Sequence, residues 1–135
     1  MDIFANWNEG VRAAKGKYIV LLTDDDLVNM DMVKIIREID IQYREVSMII
    51  FNHKCIDENG IVKSTYKMIQ NGFFKKGDSF KFFANGVDNR PCAIAMNKED
   101  MISLNLYNEN LTLTASDSEL IQKLLIVGNV YFNNQ

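Results

Sequence analysis

A short apolar segment that runs directly into three carboxylates most constrains how this chain folds. Residues 18–22 read YIVLL, and such a run is typical of a strand buried on both faces. Thr23 follows, and then Asp24, Asp25 and Asp26. Because like charges repel, this cluster needs either solvent or a cation nearby. Hard cations choose carboxylate oxygens, and α/β sheets bind ligands at the carboxyl ends of strands. The segment therefore predicts a metal site, with a solvated acidic turn as the alternative.

Helix-like and strand-like patterns alternate along the rest of the chain. Asn59 and Gly60 form a hairpin signal that turns residues 61–66 back antiparallel. Helical patterns cover residues 2–15, 31–44, 98–104 and 116–127. Apolar strand-like runs cover residues 46–51, 91–96 and 130–132. The alternation predicts an α/β fold with a mixed, mostly parallel sheet, helices on both faces and a central hairpin.

The composition excludes several classes of protein. The chain has 135 residues, 47% hydrophobic and 24% charged, which is enough for one domain with a buried core. A net charge of −3 argues against nucleic-acid binding, which needs a basic face. No apolar run approaches the ~20 residues that cross a bilayer, and no signal-like segment opens the chain, which predicts a cytoplasmic protein. Cys55 and Cys92 lack metal-ligand or disulfide spacing, which predicts reduced, partly buried thiols.

A longer pattern around the acidic segment resembles a known enzyme family. Asn8, Gly10, Ala14, Gly16 and Tyr18 form the pattern NxGxxxAxGxY, which leads into the apolar strand and the acidic loop. This pattern is similar to family 2 glycosyltransferases of the GT-A fold, a Rossmann-like α/β sandwich. The resemblance implies a metal-dependent, inverting enzyme that transfers a sugar from a nucleotide-sugar donor to a glycan or lipid-linked acceptor, as in polysaccharide biosynthesis.

The same resemblance assigns roles to the acidic loop. In the family this loop is the DXD motif, which holds Mg²⁺ or Mn²⁺ against the diphosphate of the donor. It implies that Asp24 and Asp26 bind the metal ion. It also implies that Asn8, Gly10, Asp24 and Asp25 lie against the donor. Which two of the three aspartates approach the metal ion stays open, because relatives differ in this loop. A cation there would offset the charge that builds on the leaving diphosphate.

A second resemblance lies near the end of the chain. The segment SDSELIQKLLIVG is similar to the family segment in which an acidic residue opens a helix and acts as catalytic base. Asp117 aligns with that base, and Ser116 stands where the family usually has a glutamate. A base here would accept the proton of an acceptor hydroxyl as it attacks the anomeric carbon. The alternative is structural, because Ser116 and Glu119 have capping-box spacing and an acid in the first turn suits the helix dipole.

The resemblance also implies how much of a domain is present and how it associates. Residues 1–135 correspond to the later part of a GT-A domain, after the strand, helix and strand that form the nucleotide pocket in relatives. The strand at residues 18–22 is then expected to have an uncovered edge. Because an open apolar edge invites pairing with another chain, we expect a homo-oligomer.

Other interpretations fit part of the pattern. A non-catalytic remnant of such a domain is the main alternative function. A Mg²⁺-dependent phosphoryl-transfer or hydrolase domain ranks last, because residues 26–28 lack the threonine that haloacid-dehalogenase-like enzymes need. Residues 85–90 fall where relatives place acceptor-side loops. Phe73 and Phe74 beside Lys75 and Lys76 would allow peripheral membrane contact, although two lysines are too few to establish it.

Overall fold

The computed structural model describes residues 2–83, 90–111 and 115–134. In this part of the chain the α-helices are α1 (Ile3–Ala13), α2 (Met32–Tyr43), α3 (Lys98–Ser103) and α4 (Ala115–Val127). The strands are β1 (Tyr18–Ile19), β2 (Val46–Phe51), β3 (His53–Ile56), β4 (Val62–Tyr66), β5 (Gly72–Phe74), β6 (Ile94–Asn97) and β7 (Asn129–Asn133). None of these helices is both long and apolar enough to cross a membrane. The predicted loop at residues 85–90 lies, except for Arg90, outside the described residues.

Five of the strands form one mixed sheet in the order β1-β6-β2-β7-β5. The pairing of β2 with β7 is parallel, and the other pairings of this sheet are antiparallel. The α/β class and the mixed sheet are confirmed, but the sheet is not mostly parallel. The reason is that β6 inserts between β1 and β2 and runs antiparallel to both. α2 connects β1 to β2 and the two strands share a direction, although β6 lies between them.

The central hairpin is confirmed as a separate two-stranded sheet of β3 and β4. Asp57 Oδ1 accepts hydrogen bonds from the N–H groups of Asn59 at 3.0 Å and Ile61 at 2.9 Å. Lys63 Nζ lies 2.8 Å from Asp57 Oδ2, and this contact, with the backbone bonds, holds the pKa of Asp57 below its usual range. Gly60 completes the turn at a φ of 77°, which glycine adopts without strain.

Helices cover both faces of the main sheet, as predicted. Successive side chains of β2 point in opposite directions. Met48 and Ile50 pack in the core that α1, α3 and α4 share, and Ile49 packs on the other face against Ile39 of α2. These three side chains of β2 are fully buried. β2, at the centre of the sheet, is therefore buried on both faces.

The strand predicted at residues 18–22 is shorter and less buried than expected. β1 consists of Tyr18 and Ile19, which pair with β6, and Leu22 is 56% exposed. The physical reason is position, because β1 is the last strand of the described sheet and has a neighbour on one side only. An edge strand cannot bury its residues as a central strand does.

Candidate functional site

The carboxyl ends of three strands meet at one edge of the sheet, where the acidic loop follows β1. β1 and β2 run in the same direction because both are antiparallel to β6, and β7 is parallel to β2. α4 is joined to β7 by Gly128 alone and packs on the same core, so it runs back along the strand. The first turn of α4, with Asp117, therefore lies towards this edge. Ligand sites of α/β sheets occupy this position.

Thr23 organises two of the three carboxylates in the acidic loop. Thr23 Oγ1 lies 2.8 Å from Asp25 Oδ1 and 2.6 Å from Asp26 Oδ2. The backbone N–H of Thr23 also donates to Asp26 Oδ2, at 3.4 Å. Asp25 and Asp26 thus converge on one hydroxyl group. Asp24 is exposed, and its carboxylate makes no hydrogen bond or ion pair with the described residues.

The thiol of Cys92 reaches the acidic loop from a second segment. Cys92 lies in the short 3₁₀ turn Pro91–Ala93, just before β6. Burial, followed by the charge and hydrogen bond of Asp26, raises the pKa of the Cys92 thiol to about 11. The thiol is therefore protonated at neutral pH and donates to the Asp26 carboxylate. Cys92 is free and half-buried, as predicted, but no spacing in the sequence indicates its contact with this loop.

The acidic loop has the chemistry of a divalent-cation site with an incomplete set of ligands. Its donors are carboxylate oxygens, which Mg²⁺ and Mn²⁺ prefer. Among residues 2–83, 90–111 and 115–134 there is no group of three or more His, Cys, Asp or Glu side chains placed to hold a metal ion. Mg²⁺ commonly takes one or two protein carboxylates and completes its shell with water and substrate phosphates. The loop therefore fits a cation that arrives with a phosphate ligand.

Asp117 is half-buried in the first turn of α4. The N–H of Ser118 donates to Asp117 Oδ1 at 2.6 Å. Burial, followed by the negative charge of Asp117, raises the pKa of the Tyr107 hydroxyl. The Asp117 carboxylate therefore acts electrostatically on the Tyr107 hydroxyl. A carboxylate at this place could accept a proton from a ligand hydroxyl.

The predicted capping box of α4 is wrong. The helix begins at Ala115, so Ser116 lies inside the first turn and not at the N-cap. Its buried hydroxyl has no hydrogen-bond partner among the residues that the structure describes. Glu119 Oε1 pairs with Lys123 Nζ at 2.9 Å, one turn further on. The favourable interaction with the helix dipole remains a structural reason for an acidic residue at position 117, whereas a capping box is not such a reason.

Asn8 is buried, and its side chain is occupied by the protein itself. Asn8 Nδ2 donates to the carbonyl oxygen of Tyr107 and to Glu109 Oε1, both at 2.9 Å. Asn8 Oδ1 accepts from the N–H of Tyr107 at 3.0 Å. Both amide hydrogens of Asn8 are therefore used within the protein, and they hold the segment of Tyr107 and Glu109. Gly10 is exposed, and a Cβ there would meet nothing within 4 Å. Substrate contacts of these two residues stay predictions.

The described contacts join the candidate residues into two groups. The first contains Thr23, Asp25, Asp26 and Cys92. The second contains Asn8, Tyr107 and Glu109, and the charge of Asp117 acts on the Tyr107 hydroxyl of this group. No hydrogen bond or ion pair between described residues links the two groups. Sequence reasoning missed Tyr107 and Glu109, because contacts across 99 and 101 residues leave no local spacing to detect.

Comparison with protein families gives a match over most of the chain. The model of the family described as Glycosyl transferase family 2 matches residues 2–104. No curated protein matches the chain. The matched region contains Asn8, Gly10 and the acidic loop, whereas α4 and Asp117 lie beyond it.

Proposed function

The chain belongs to glycosyl transferase family 2, and from that premise we propose that it is a metal-dependent, inverting glycosyltransferase. Its substrates are a nucleotide-sugar donor and a glycan or lipid-linked acceptor, in polysaccharide biosynthesis in the cytoplasm. One observation carries the proposal: the carboxylates of Asp25 and Asp26 converge on the Thr23 hydroxyl at the carboxyl edge of the sheet. Family membership implies a nucleotide-sugar as the donor substrate. The carboxylate oxygens of this loop are the ligand atoms that a divalent cation prefers.

The acidic loop is the proposed donor site. Asp24 and Asp26 supply carboxylate oxygens to Mg²⁺ or Mn²⁺, with Asp25 beside them against the donor. The bound cation would offset the negative charge that builds on the diphosphate as it leaves. The Thr23 hydroxyl and the Cys92 thiol restrict the orientation of the Asp26 carboxylate, which prepares the loop for its ligand.

Asp117 is the proposed catalytic base. Its carboxylate accepts the proton of the acceptor hydroxyl while the hydroxyl oxygen bonds to the anomeric carbon. The bond from that carbon to the diphosphate breaks, and the nucleoside diphosphate leaves with its electron pair. Attack from the side opposite the leaving group inverts the configuration of the sugar. The N–H of Ser118 holds one oxygen of this carboxylate in place.

Calorimetric titration with UDP, GDP and dTDP, each with and without Mn²⁺, tests the donor site. We expect one nucleotide to bind in a Mn²⁺-dependent way, and the Asp24→Ala/Asp26→Ala variant to lose that binding. Thr23→Val should weaken binding about tenfold or more, because a hydrogen bond to a charged group contributes about 1.5–3 kcal/mol. Thr23→Ser keeps the hydroxyl and is the matched control. A folded chain that binds none of the nucleotides would contradict the proposal and support a non-catalytic remnant.

The base is tested by Asp117→Asn, which keeps the shape of the side chain and removes its proton-accepting charge. We expect transfer to fall by about 10²–10⁴-fold, the usual contribution of general base catalysis, while nucleotide binding is unchanged. Release of nucleoside diphosphate from the corresponding nucleotide-sugar, in the presence of acceptor, is the measurement. Glu119→Gln on the same helix is the control. Unchanged transfer by Asp117→Asn would assign the base to another residue.

A further inference from the structure

The side chain of Asn8 binds the backbone of a distant segment as a neighbouring strand would. Asn8 Nδ2 donates to the carbonyl oxygen of Tyr107 at 2.9 Å, and Asn8 Oδ1 accepts from the N–H of the same residue at 3.0 Å. Asn8 Nδ2 also donates to Glu109 Oε1 at 2.9 Å. Asn8 is 2% exposed, and a buried polar group that loses its partner is costly. These three bonds therefore hold residues 105–109, the clamped segment, against α1.

The backbone of the clamped segment has a conformation that needs such support. Asn105 and Leu106 have φ values of 66° and 59°, in the left-handed region. Asparagine tolerates this region, but leucine adopts it at a cost. Strained backbone of this kind persists only where the surrounding contacts over-determine it. The N–H of Leu106 donates to the carbonyl oxygen of Met101 at 2.9 Å on one side of the strained pair. The bonds from Asn8 follow directly on the other side.

Aromatic side chains join the same two parts of the chain. The centroid of the Tyr107 ring lies 5.9 Å from that of Phe4, in a stacked arrangement. It lies 5.3 Å from that of Trp7, edge to face. Phe4 and Trp7 are both on α1, within the turn that precedes Asn8. The ring of Tyr107 is therefore held by α1 as firmly as its backbone.

The clamped segment lies between α3 and α4, so it determines where the chain enters α4. Asp117 is the third residue of that helix. Burial, followed by the negative charge of Asp117, raises the pKa of the Tyr107 hydroxyl, so the clamped segment and this carboxylate interact. The position of Asp117 thus depends on the segment that Asn8 holds.

We propose that Asn8 is a positioning residue for the transfer reaction: its side chain fixes the clamped segment against α1 and so holds the first turn of α4, with Asp117, in place. This role rests on the proposed function of Asp117 as catalytic base. It gives Asn8 no contact with the donor, in contrast to the role that the family resemblance implies. A displacement of about 1 Å at a reacting group can lower a rate about a hundredfold.

Asn8→Asp tests the proposal with little change of shape. It keeps an acceptor for the N–H of Tyr107, removes both donated bonds and sets a second negative charge against Glu109. We expect kcat for transfer to fall about ten- to a hundredfold, while nucleotide binding in the presence of Mn²⁺ is unchanged in calorimetric titration. Asn6→Asp, the same substitution on the exposed face of α1, is the control and should match the parent chain.

A second substitution identifies the partner of Asn8. Glu109→Gln alone should have little effect, since its amide oxygen still accepts from Asn8. In Asn8→Asp/Glu109→Gln, the new amide at position 109 donates to the new carboxylate at position 8, and kcat should recover in part. Recovery is incomplete because the carbonyl oxygen of Tyr107 still lacks its donor.

Two spectroscopic measurements do not depend on transfer. Trp7 is the only tryptophan of the chain, and acrylamide should quench its fluorescence more in Asn8→Asp because Tyr107 no longer packs on it. The N–H of Ser118 donates to Asp117 Oδ1 at 2.6 Å, so the amide resonance of Ser118 should shift in the same variant. If the parent chain transfers no sugar, the proposed function fails, and these two measurements decide the positioning role.

Several results would overturn the proposal. One is a parent-like kcat in Asn8→Asp, and another is a Ser118 resonance that stays at its parent position. Nucleotide binding that falls by the same factor as kcat would place Asn8 against the donor instead. If Asn8→Asp unfolds, Glu109→Ala removes one of the three bonds at the exposed end, and we expect kcat to fall about threefold. An unchanged kcat and Ser118 resonance in that variant would also contradict the role.

Discussion

The contact between Cys92 and Asp26 makes a single thiol a reporter for the acidic loop. With a pKa of about 11, the Cys92 thiol is about one part in a thousand thiolate at pH 8. Asp26 disfavours the thiolate, so Asp26→Asn should lower the thiol pKa. We therefore expect iodoacetamide to alkylate Cys92 several-fold faster in this variant at fixed pH. Mass spectrometry in a Cys55→Ser background measures the rate.

Two controls sharpen this test. Asp31→Asn changes the same charge at the start of α2 and should leave the alkylation rate of Cys92 unchanged. In the parent chain the rate should rise about tenfold with each pH unit until the thiol pKa is reached, because the thiolate is the reactive form. A rate in Asp26→Asn that equals or falls below the parent rate would show that Asp26 does not disfavour the thiolate.

The acidic candidates could be named from the sequence, but the residues that orient them could not. The run of carboxylates after an apolar strand indicated Asp24, Asp25 and Asp26, and the family resemblance assigned roles to them and to Asp117. Thr23 gave no such signal, since its role depends on how the loop folds back. The same holds for Tyr107, whose backbone binds a residue near the other end of the chain. The contact of Asn8 with Tyr107 is tertiary, so no local pattern predicts it, whereas the contacts of Thr23 are local but depend on the conformation of the loop.

Among the secondary structure elements, the junction of α4 and β7 depends on a glycine. A Cβ on Gly128 would lie 2.3 Å from Ser47 Cβ and 2.4 Å from Ser47 Oγ on β2. Gly128→Ala must therefore displace the strand or the helix, and we expect a loss of about 1–3 kcal/mol in the free energy of unfolding. Gly10→Ala is the control, since its Cβ has open space and should add about 0.5–1 kcal/mol to helix stability. Urea titrations measure both.

A second substitution at Ser47 tests whether the loss at Gly128 is steric. Ser47→Gly removes the two closest atoms that the new methyl group would meet and leaves the carbonyl oxygen of Leu124 at 3.0 Å, so the Ser47→Gly/Gly128→Ala variant should recover part of the loss. The recovery is incomplete, because glycine in a strand costs about 0.5–1 kcal/mol itself. Equal stability of Gly128→Ala and the parent chain would mean that this junction can relax freely.

Elements with a long hydrophobic periodicity or a clear turn signal could be predicted from the sequence. The length of a strand could not, because it depends on the neighbouring strands. α2 and the hairpin follow from helical spacing and from the Asn59-Gly60 turn, and both are present. The segment at residues 18–22 has the composition of a central strand, yet two of its residues form strand pairs. Strand length is set by the partners available on each side, which composition does not contain.

For the whole molecule, the common direction of β1 and β2 could be predicted, but the antiparallel direction of β6 and the order of the strands could not. Helices between consecutive strands require a common direction for β1 and β2, which the sheet confirms through its antiparallel middle strand. The position of β6 depends on how the long connection after β2 returns to the sheet. The path of that connection depends on tertiary packing, and it places β6 between β1 and β2 in the described sheet.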